Sequence, residues 1–85
     1  MNSIKKKTDT TLAGMKLGER AVIESFTDPE MSLKLLEMGC APGEIVKIKH
    51  IAPLGDPIAI FISGYLLSLR KKEASTVLVK LLPAN

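Results

Sequence analysis

The sequence predicts a mainly β fold: a small, partly open five-stranded barrel with one short α-helix after the first strand and a short helical turn before the last strand. Short runs of alternating or β-branched apolar residues recur along its 85 residues. Gly and Pro residues separate these runs and are typical of tight turns. Only one segment combines a helix start signal, a helical apolar stripe and a helix stop. Closing such strands into a barrel limits the number of exposed strand edges.

Five segments have the length and composition of strands, and they are residues 20–26, 44–51, 58–63, 65–70 and 77–82. In the first strand, Val22, Glu24 and Phe26 alternate with Ala21, Ile23 and Ser25. In the second strand, Val46, Ile48 and His50 alternate with Ile45, Lys47, Lys49 and Ile51. We expect the lysine-bearing side of the second strand to face water over part of its length.

The predicted helix lies between the first two strands. Asp28 can accept hydrogen bonds from the free N–H groups of the first turn, and Pro29 suits the first helical position. Residues 31–38 carry an apolar stripe, and Gly39 ends the helix. A helix of about two to three turns is too short to be stable alone, so it must pack on the sheet.

The chain forms one domain over residues 11–85, preceded by a disordered basic leader over residues 1–10. Within the domain, Gly14 and Gly18 should break any helix that precedes the first strand. The leader holds three Lys and one Asp, a net charge of +2, and the other 75 residues hold 9 basic and 8 acidic side chains, a net charge of +1. Because the barrel itself is nearly neutral, nucleic acid is not an expected partner.

The composition also predicts a cytoplasmic protein. Cys40 is the only cysteine, so the chain has no internal disulfide, which fits a reducing compartment. No apolar run approaches the roughly 18–20 residues that span a bilayer, and no apolar stretch follows the N-terminal lysines as it would in a secretory signal. Direct membrane insertion is therefore not expected.

The residues that could carry chemistry do not predict an enzyme. Nucleophilic catalysis needs a nucleophile, a base and an orienting group held together. Cys40 lies just past the helix, and His50 lies ten residues later inside a strand. We expect Cys40 to be a small buried hydrophobe and His50 to be a partly exposed strand residue. Similarly, we expect core packing rather than nucleic-acid stacking to account for Phe61 and Tyr65.

No metal site and no cofactor are predicted. Dedicated sites show paired ligands at short spacing, and ferrous iron favours clusters of imidazole and carboxylate groups. The closest candidates form no such set, and they are Glu37, Cys40, His50 and Asp56. Weak Fe(II) ligation shared between two molecules is left open.

The helix carries more apolar residues than one stripe can bury, so part of its surface is a candidate binding site for another protein. Methionines and exposed leucines suit adaptable contacts, and the turn at residues 39–43 lies next to the helix end. The predicted partner-binding residues are Leu33, Leu36, Met38, Cys40 and Pro42. The alternative, in which the five apolar side chains of the helix simply fill a small core, stays open; they are Met31, Leu33, Leu35, Leu36 and Met38.

Three segments resemble the ferrous iron transport protein A (FeoA) family, and the match extends over about 70 of the 85 residues, from Thr11 to Val79. They read TLAGMKLGERAVIESF, LKLLEMGCAPGEIVKI and APLGDPIAIFISGYLLSLRKKEASTVLV. The Pro-Leu-Gly-Asp-Pro turn and the Ser-Leu-Arg run followed by Glu-Ala are the most specific parts. The family is similar in fold to the SH3-like barrel at the end of iron-dependent repressors of the diphtheria-toxin-repressor type.

The resemblance implies a bacterial, cytosolic accessory protein of ferrous iron uptake. Its implied partner is ferrous iron transport protein B, a membrane permease that carries a cytosolic GTPase domain. Two other functions remain as alternatives: a sensor module that responds to ferrous or other transition-metal ions, and a small barrel associated with nucleic acid. A weak homodimer through an open barrel edge is also left open.

Overall fold

The computed structural model describes residues 10–84, and these residues form one five-stranded antiparallel sheet with short helices. The strands are β1 (Arg20–Phe26), β2 (Ile45–Ile51), β3 (Ile58–Ile62), β4 (Tyr65–Leu69) and β5 (Val77–Leu81). Helix α1 (Pro29–Glu37) follows β1, and the single-turn helix α2 (Lys71–Ala74) precedes β5. The strand order across the sheet is β4-β3-β2-β1-β5. The predicted mainly β architecture, with its helix and its helical turn, is confirmed.

The segment before β1 corrects one prediction. Leu12–Gly14 forms a single 3₁₀ turn, although Gly14 was expected to break any helix here. One 3₁₀ turn needs few hydrogen bonds, and glycine costs only about 1 kcal/mol in a helix. Burial of Leu12 and Met15 in the core outweighs that cost.

Both open edges of the sheet can be identified among the described residues, since β4 and β5 do not pair with each other. The outer edge of β5 is partly covered, because Val79 donates its N–H to the Thr10 carbonyl at 2.9 Å and Thr11 bridges to Leu78. Thr10 therefore belongs to the folded domain. The predicted disorder of residues 1–9 lies outside the described residues and stays a prediction.

A β-bulge in β1 overturns the predicted alternation of that strand. The pairing with β5 shifts between Ile23 and Ser25. The extra residue reverses the faces beyond it, so Phe26 pairs with the buried Val77 and packs against the core. The prediction that Phe26 shares the side of Val22 is wrong for this reason.

A second bulge, in β2, has the same effect on His50. The pairing with β3 shifts between Ile48 and His50, so His50 lies opposite Ala59 and Ile51 lies opposite the buried Ile58. His50 was expected on the side of Val46 and Ile48, and it lies on the outer side instead. The predictions that Lys47 faces water and that His50 is exposed are confirmed.

The core lies on the inner side of the sheet and is almost wholly aliphatic. Helix α1 contributes Leu35, and the turn after it contributes Cys40. The other fully buried large side chains come from the 3₁₀ turn and all five strands, and they are Leu12, Ile23, Val46, Ile48, Ile60, Ile62, Leu69, Val77 and Val79. Because this core buries one side of each strand and of α1, only the opposite side of each element is exposed and can contact other molecules.

Helix α1 is capped at its start as the sequence predicts. The Asp28 carboxylate accepts hydrogen bonds from the N–H groups of Glu30 and Met31 at 3.0 and 3.1 Å. Pro29 occupies the first turn, where its missing N–H costs nothing. The helix therefore begins where Asp28 places it, and Leu35 points into the core.

Tyr65 holds the other end of the helix. Its hydroxyl donates a hydrogen bond to the Met38 carbonyl at 3.0 Å, so β4 satisfies one of the free carbonyls at the helix end. Gly39 follows at a φ of +100°, a conformation that favours glycine. A Cβ atom at this position would overlap the Tyr65 hydroxyl. Gly39 thus serves both the backbone turn and the close approach of Tyr65.

Glu73 connects the middle of α1 to α2. Its side chain is nearly buried, and one carboxylate oxygen lies 2.7 Å from the Lys34 ammonium group. The other oxygen accepts the N–H of Arg70 at 2.8 Å, which caps α2. The hydrogen bonds from Lys34 and from the Arg70 backbone lower the pKa of Glu73 below its usual 4.5.

The Gly39→Ala substitution should destabilise the fold more than Gly43→Ala, although both glycines have positive φ. Each substitution should lower the free energy of unfolding by about 1–2 kcal/mol, because alanine disfavours a positive φ. Gly39→Ala should cost about 1 kcal/mol more, because it displaces the Tyr65 hydroxyl from Met38. Urea unfolding of the two variants measures the difference. In a Tyr65→Phe background this difference should disappear; if it persists, the Tyr65 contact is not its cause.

Acid should weaken the wild-type protein through Glu73. A carboxyl group whose folded pKa is lowered stabilises the fold above its unfolded pKa, and this stabilisation is lost as the pH falls below the usual value of 4.5 and through the folded pKa. Glu73→Gln removes this titration and should flatten that part of the pH dependence of the free energy of unfolding. Glu37→Gln, at an exposed position on α1, is the matched control and should retain the wild-type slope. An equal effect of both variants would contradict the assignment to Glu73.

Candidate functional site

The predicted partner-binding residues occupy the end of α1 and the turn after it, which we call the helix–turn surface. Leu33 and Leu36 lie three residues apart on the outward side of the helix, with exposed fractions of 66% and 43%. Pro42 is exposed in the turn, and Met38 is half-buried against the core. Two large leucine side chains therefore face solvent on a helix whose position is fixed on its other side.

Cys40 does not belong to the exposed part of this surface. Its exposed fraction is 0%, and it packs in the core cluster. Burial raises the pKa of the Cys40 thiol to about 11, and the nearby Glu73 carboxylate adds to the rise. The expectation that Cys40 is a small buried hydrophobe is confirmed, and as folded its side chain offers no exposed surface to a partner.

The charged groups around Leu33 and Leu36 give the helix an acidic outer side. Glu30 and Glu37 are exposed on α1. Lys34 is also exposed over much of its length, but its ammonium group is held by Glu73. A partner that meets this surface therefore encounters two leucines bordered by two carboxylates.

The sheet carries a second exposed apolar surface that the sequence reasoning missed. Phe61 and Leu66 lie directly opposite each other on β3 and β4, with exposed fractions of 43% and 62%. Phe61 also lies opposite Lys47, and Lys47 lies opposite Arg20. Together with the exposed Ile45, these residues form what we call the outer sheet face: Arg20, Ile45, Lys47, Phe61 and Leu66.

Phe61 was expected to be a core residue, and this expectation is wrong. Its neighbours Ile60 and Ile62 are buried, so the alternation of β3 places Phe61 on the opposite side. That signal is present in the sequence, because Ile58, Ile60 and Ile62 share one side of the segment. Tyr65 is also partly exposed, and its hydroxyl serves the helix end.

A cleft of about 560 Å³ borders the outer sheet face where β1 begins and β5 ends. Arg20 and Lys47 line it together with the exposed Leu17 and Leu81. Glu19 also lies in the cleft, and its carboxylate accepts the N–H of Lys16 at 2.8 Å. The cleft is thus apolar at its rim and carries both basic side chains of the neighbouring sheet.

The described residues offer no assembled catalytic or metal group. Cys40 is buried on the inner side of the sheet, whereas His50 is exposed on the outer side, so the two do not form a pair. Within residues 10–84, no three His, Cys, Asp or Glu side chains lie together as metal ligands would. The expectation that the chain has no resident cofactor stays a prediction.

Among residues 10–84, no helix has both the length and the apolar composition that crossing a lipid bilayer requires.

The FeoA domain family matches residues 10–81, which is the greater part of the chain. A related sequence is the Fe(2+) transport protein A/Fe(2+) transporter FeoB fusion protein of Porphyromonas gingivalis, which is 33% identical over 75 residues. The match covers 87% of this chain and 9% of the fusion protein. This chain therefore spans less than a tenth of that relative's length.

Solved structures show the same relationship. A FeoA-like protein from Clostridium acetobutylicum superposes with a TM-score of 0.85 at 32% identity, over 92% of both chains. A manganese-dependent transcriptional repressor superposes with a TM-score of 0.76 at 16% identity, over 86% of this chain and 41% of the repressor. The second likeness concerns the fold alone, and it confirms the predicted similarity to the SH3-like barrel of metal-dependent repressors. Since the family match and the C. acetobutylicum structure both span nearly the whole described barrel, this chain belongs to the FeoA domain family.

Proposed function

We propose that this chain is a cytosolic, non-catalytic accessory protein of ferrous iron uptake, and that it binds the GTPase domain of the permease FeoB through the helix–turn surface. Its role in ferrous iron transport is supported by its family. The choice of partner is supported by the P. gingivalis relative, in which the two proteins are fused into one chain. Fusion places two domains at high effective concentration, which favours a direct contact between them.

The observation that carries the proposed surface is the pair of exposed leucines on a fixed helix. Leu33 and Leu36 project from α1, and Asp28, Tyr65 and Glu73 hold the start, the end and the middle of that helix. A partner that covers the leucines gains hydrophobic energy without having to order the helix. Glu30 and Glu37 at the border favour a partner groove with basic groups at its rim.

The proposed mechanism is binding without chemistry. The helix–turn surface occupies a groove of the GTPase domain, and the energy of this contact stabilises whichever nucleotide state presents the groove. No group of this chain needs to reach the nucleotide. The binding then shifts the equilibrium between the nucleotide states of the permease, and the size of this shift is set by the difference in affinity for those states.

The Leu36→Asp substitution should weaken binding to the FeoB GTPase domain by about tenfold or more, because it buries a charge where an apolar side chain is needed. Isothermal titration calorimetry with the purified domain, with GDP and with a non-hydrolysable GTP analogue, measures the effect. Leu54→Asp is the matched control, since Leu54 is 94% exposed and lies on the β2–β3 turn, outside the helix–turn surface.

The control should bind as the wild type does, and circular dichroism should show both variants folded. Equal binding by folded Leu36→Asp and wild-type protein would remove α1 from the contact. Absence of binding by the wild type in both nucleotide states would contradict the proposed partner domain.

A further inference from the structure

The outer sheet face combines apolar anchors with unpaired positive charge. Within residues 10–84 both ion pairs lie elsewhere, between Lys34 and Glu73 and between Arg70 and Asp56. Arg20 and Lys47 on this face therefore have no carboxylate partner among those residues. Lys49 in the β2 bulge and Lys80 on β5 are also exposed, and Lys80 lies opposite Val22 at the border of the face. Such a surface fits an acidic partner that carries apolar side chains.

Two acidic groups at the borders of this face are engaged within the chain. Glu19 accepts the N–H of Lys16, and Glu44 accepts the hydroxyl of Ser63 at 2.9 Å. They lower the net charge of the borders but do not pair with Arg20 or Lys47. The centre of the face therefore remains basic.

The face also has a definite length. Leu66, Phe61, Lys47 and Arg20 are successive cross-strand neighbours on four adjacent strands. Because neighbouring strands lie about 4.8 Å apart, this row spans about 14 Å. Its β4 half is apolar and its β1 half is basic. A ligand with its apolar and acidic groups spread over about 14 Å would match it.

The same chain carries a surface of that size and opposite charge. Helix α1 with its side chains is about 10–12 Å across, which is comparable to the row when the helix axis runs along the strands. Its outer side presents Leu33 and Leu36 on one flank and, at helical spacing, Glu30 and Glu37 on the neighbouring flank. Two leucines can cover Phe61 and Ile45 while the two carboxylates meet the basic side chains. With its axis along the strands, the helix of one molecule is thus complementary to the sheet of another in both polarity and width.

Other occupants fit less well. The segment that precedes the folded domain, residues 1–9, carries a net charge of +2 and would be repelled by the basic groups. A nucleic acid would satisfy the positive charge, but only one aromatic residue, Phe61, lies on the face for stacking, and Leu66 and Ile45 would gain nothing from phosphate. The charge and the apolar anchors together favour an acidic amphipathic helix.

We propose that the outer sheet face binds helix α1 of a second copy of this chain, in a head-to-tail contact. The two partners use different surfaces, so the contact is heterologous and leaves one free helix and one free sheet face at the ends of each assembly. The contact is small and weak, because it rests on a few exposed side chains. It also covers Leu33 and Leu36, so self-association competes with permease binding; this consequence alone rests on the proposed function.

Sedimentation velocity over a concentration series tests the contact. At low salt the wild type should exceed the monomer mass as it approaches about 1 mM, and the association should weaken about threefold to tenfold when the salt is raised to about 0.5 M. Leu36→Lys, which alters the helix side, and Phe61→Ser, which alters the sheet side, should each remain monomeric. Leu54→Asp is the control and should associate as the wild type does.

Mixing the two variants distinguishes this arrangement from a symmetric dimer. The Phe61→Ser chain keeps an intact helix and the Leu36→Lys chain keeps an intact sheet face, so an equimolar mixture should form a dimer that grows no further. A wild type that stays monomeric at low salt would overturn the proposal. So would a mixture of folded variants that stays monomeric while the wild type associates, or association that persists in Phe61→Ser.

The same variants separate this proposal from the permease contact. Phe61→Ser should bind the FeoB GTPase domain as well as the wild type does, because its helix is unchanged, while losing self-association. Loss of permease binding in folded Phe61→Ser would show that the sheet face serves the permease, and it would overturn the assignment of that face to a second copy. Failure of wild-type permease binding would leave the self-association test unaffected.

Discussion

The position of helix α1 is the constraint on which the rest of the molecule depends. A nine-residue helix is not stable in isolation, so its place must be set by groups outside it. Leu35 provides the buried contact, Tyr65 binds the helix end, and Glu73 binds Lys34 and caps α2. These contacts come from β4 and α2, which are distant from the helix in the chain. The helix is therefore a fixed part of the barrel.

Because α1 is held in this position, the two sides of the helix–turn segment have different surroundings. The inner side holds Leu35 and Cys40 in the core, and the raised pKa keeps the Cys40 thiol protonated near neutral pH. The outer side leaves Leu33 and Leu36 in water between two carboxylates. Sheet residues present the opposite character, with Lys47 next to Phe61 on the outer sheet face. The described residues thus carry two surfaces of opposite charge, each with exposed apolar side chains.

Much of the fold could be predicted because its signals are local. Asp28, Pro29 and Gly39 mark the helix ends by their own backbone and capping chemistry, and the strands follow alternation and turn residues.

The errors arose where pairing between strands decides the outcome. The bulges that turn Phe26 inward and His50 outward depend on register with β5 and β3, which no local pattern reports. The role of Glu73 was also missed, because its partner Lys34 is 39 positions away in the sequence. Leu33 and Leu36 were identified because a short helix with leucines beyond its core stripe must expose some of them.

In the proposed complex, the exposed side of α1 is the surface that meets the permease. Backbone amide chemical shifts of the ¹⁵N-labelled protein, recorded during titration with unlabelled FeoB GTPase domain, test it most directly. The largest changes should fall on residues 30–43, with Leu33 and Leu36 among them, while the β2–β3 turn around Leu54 stays unchanged. Changes confined to the sheet, or no changes at a saturating concentration of the domain, would contradict it.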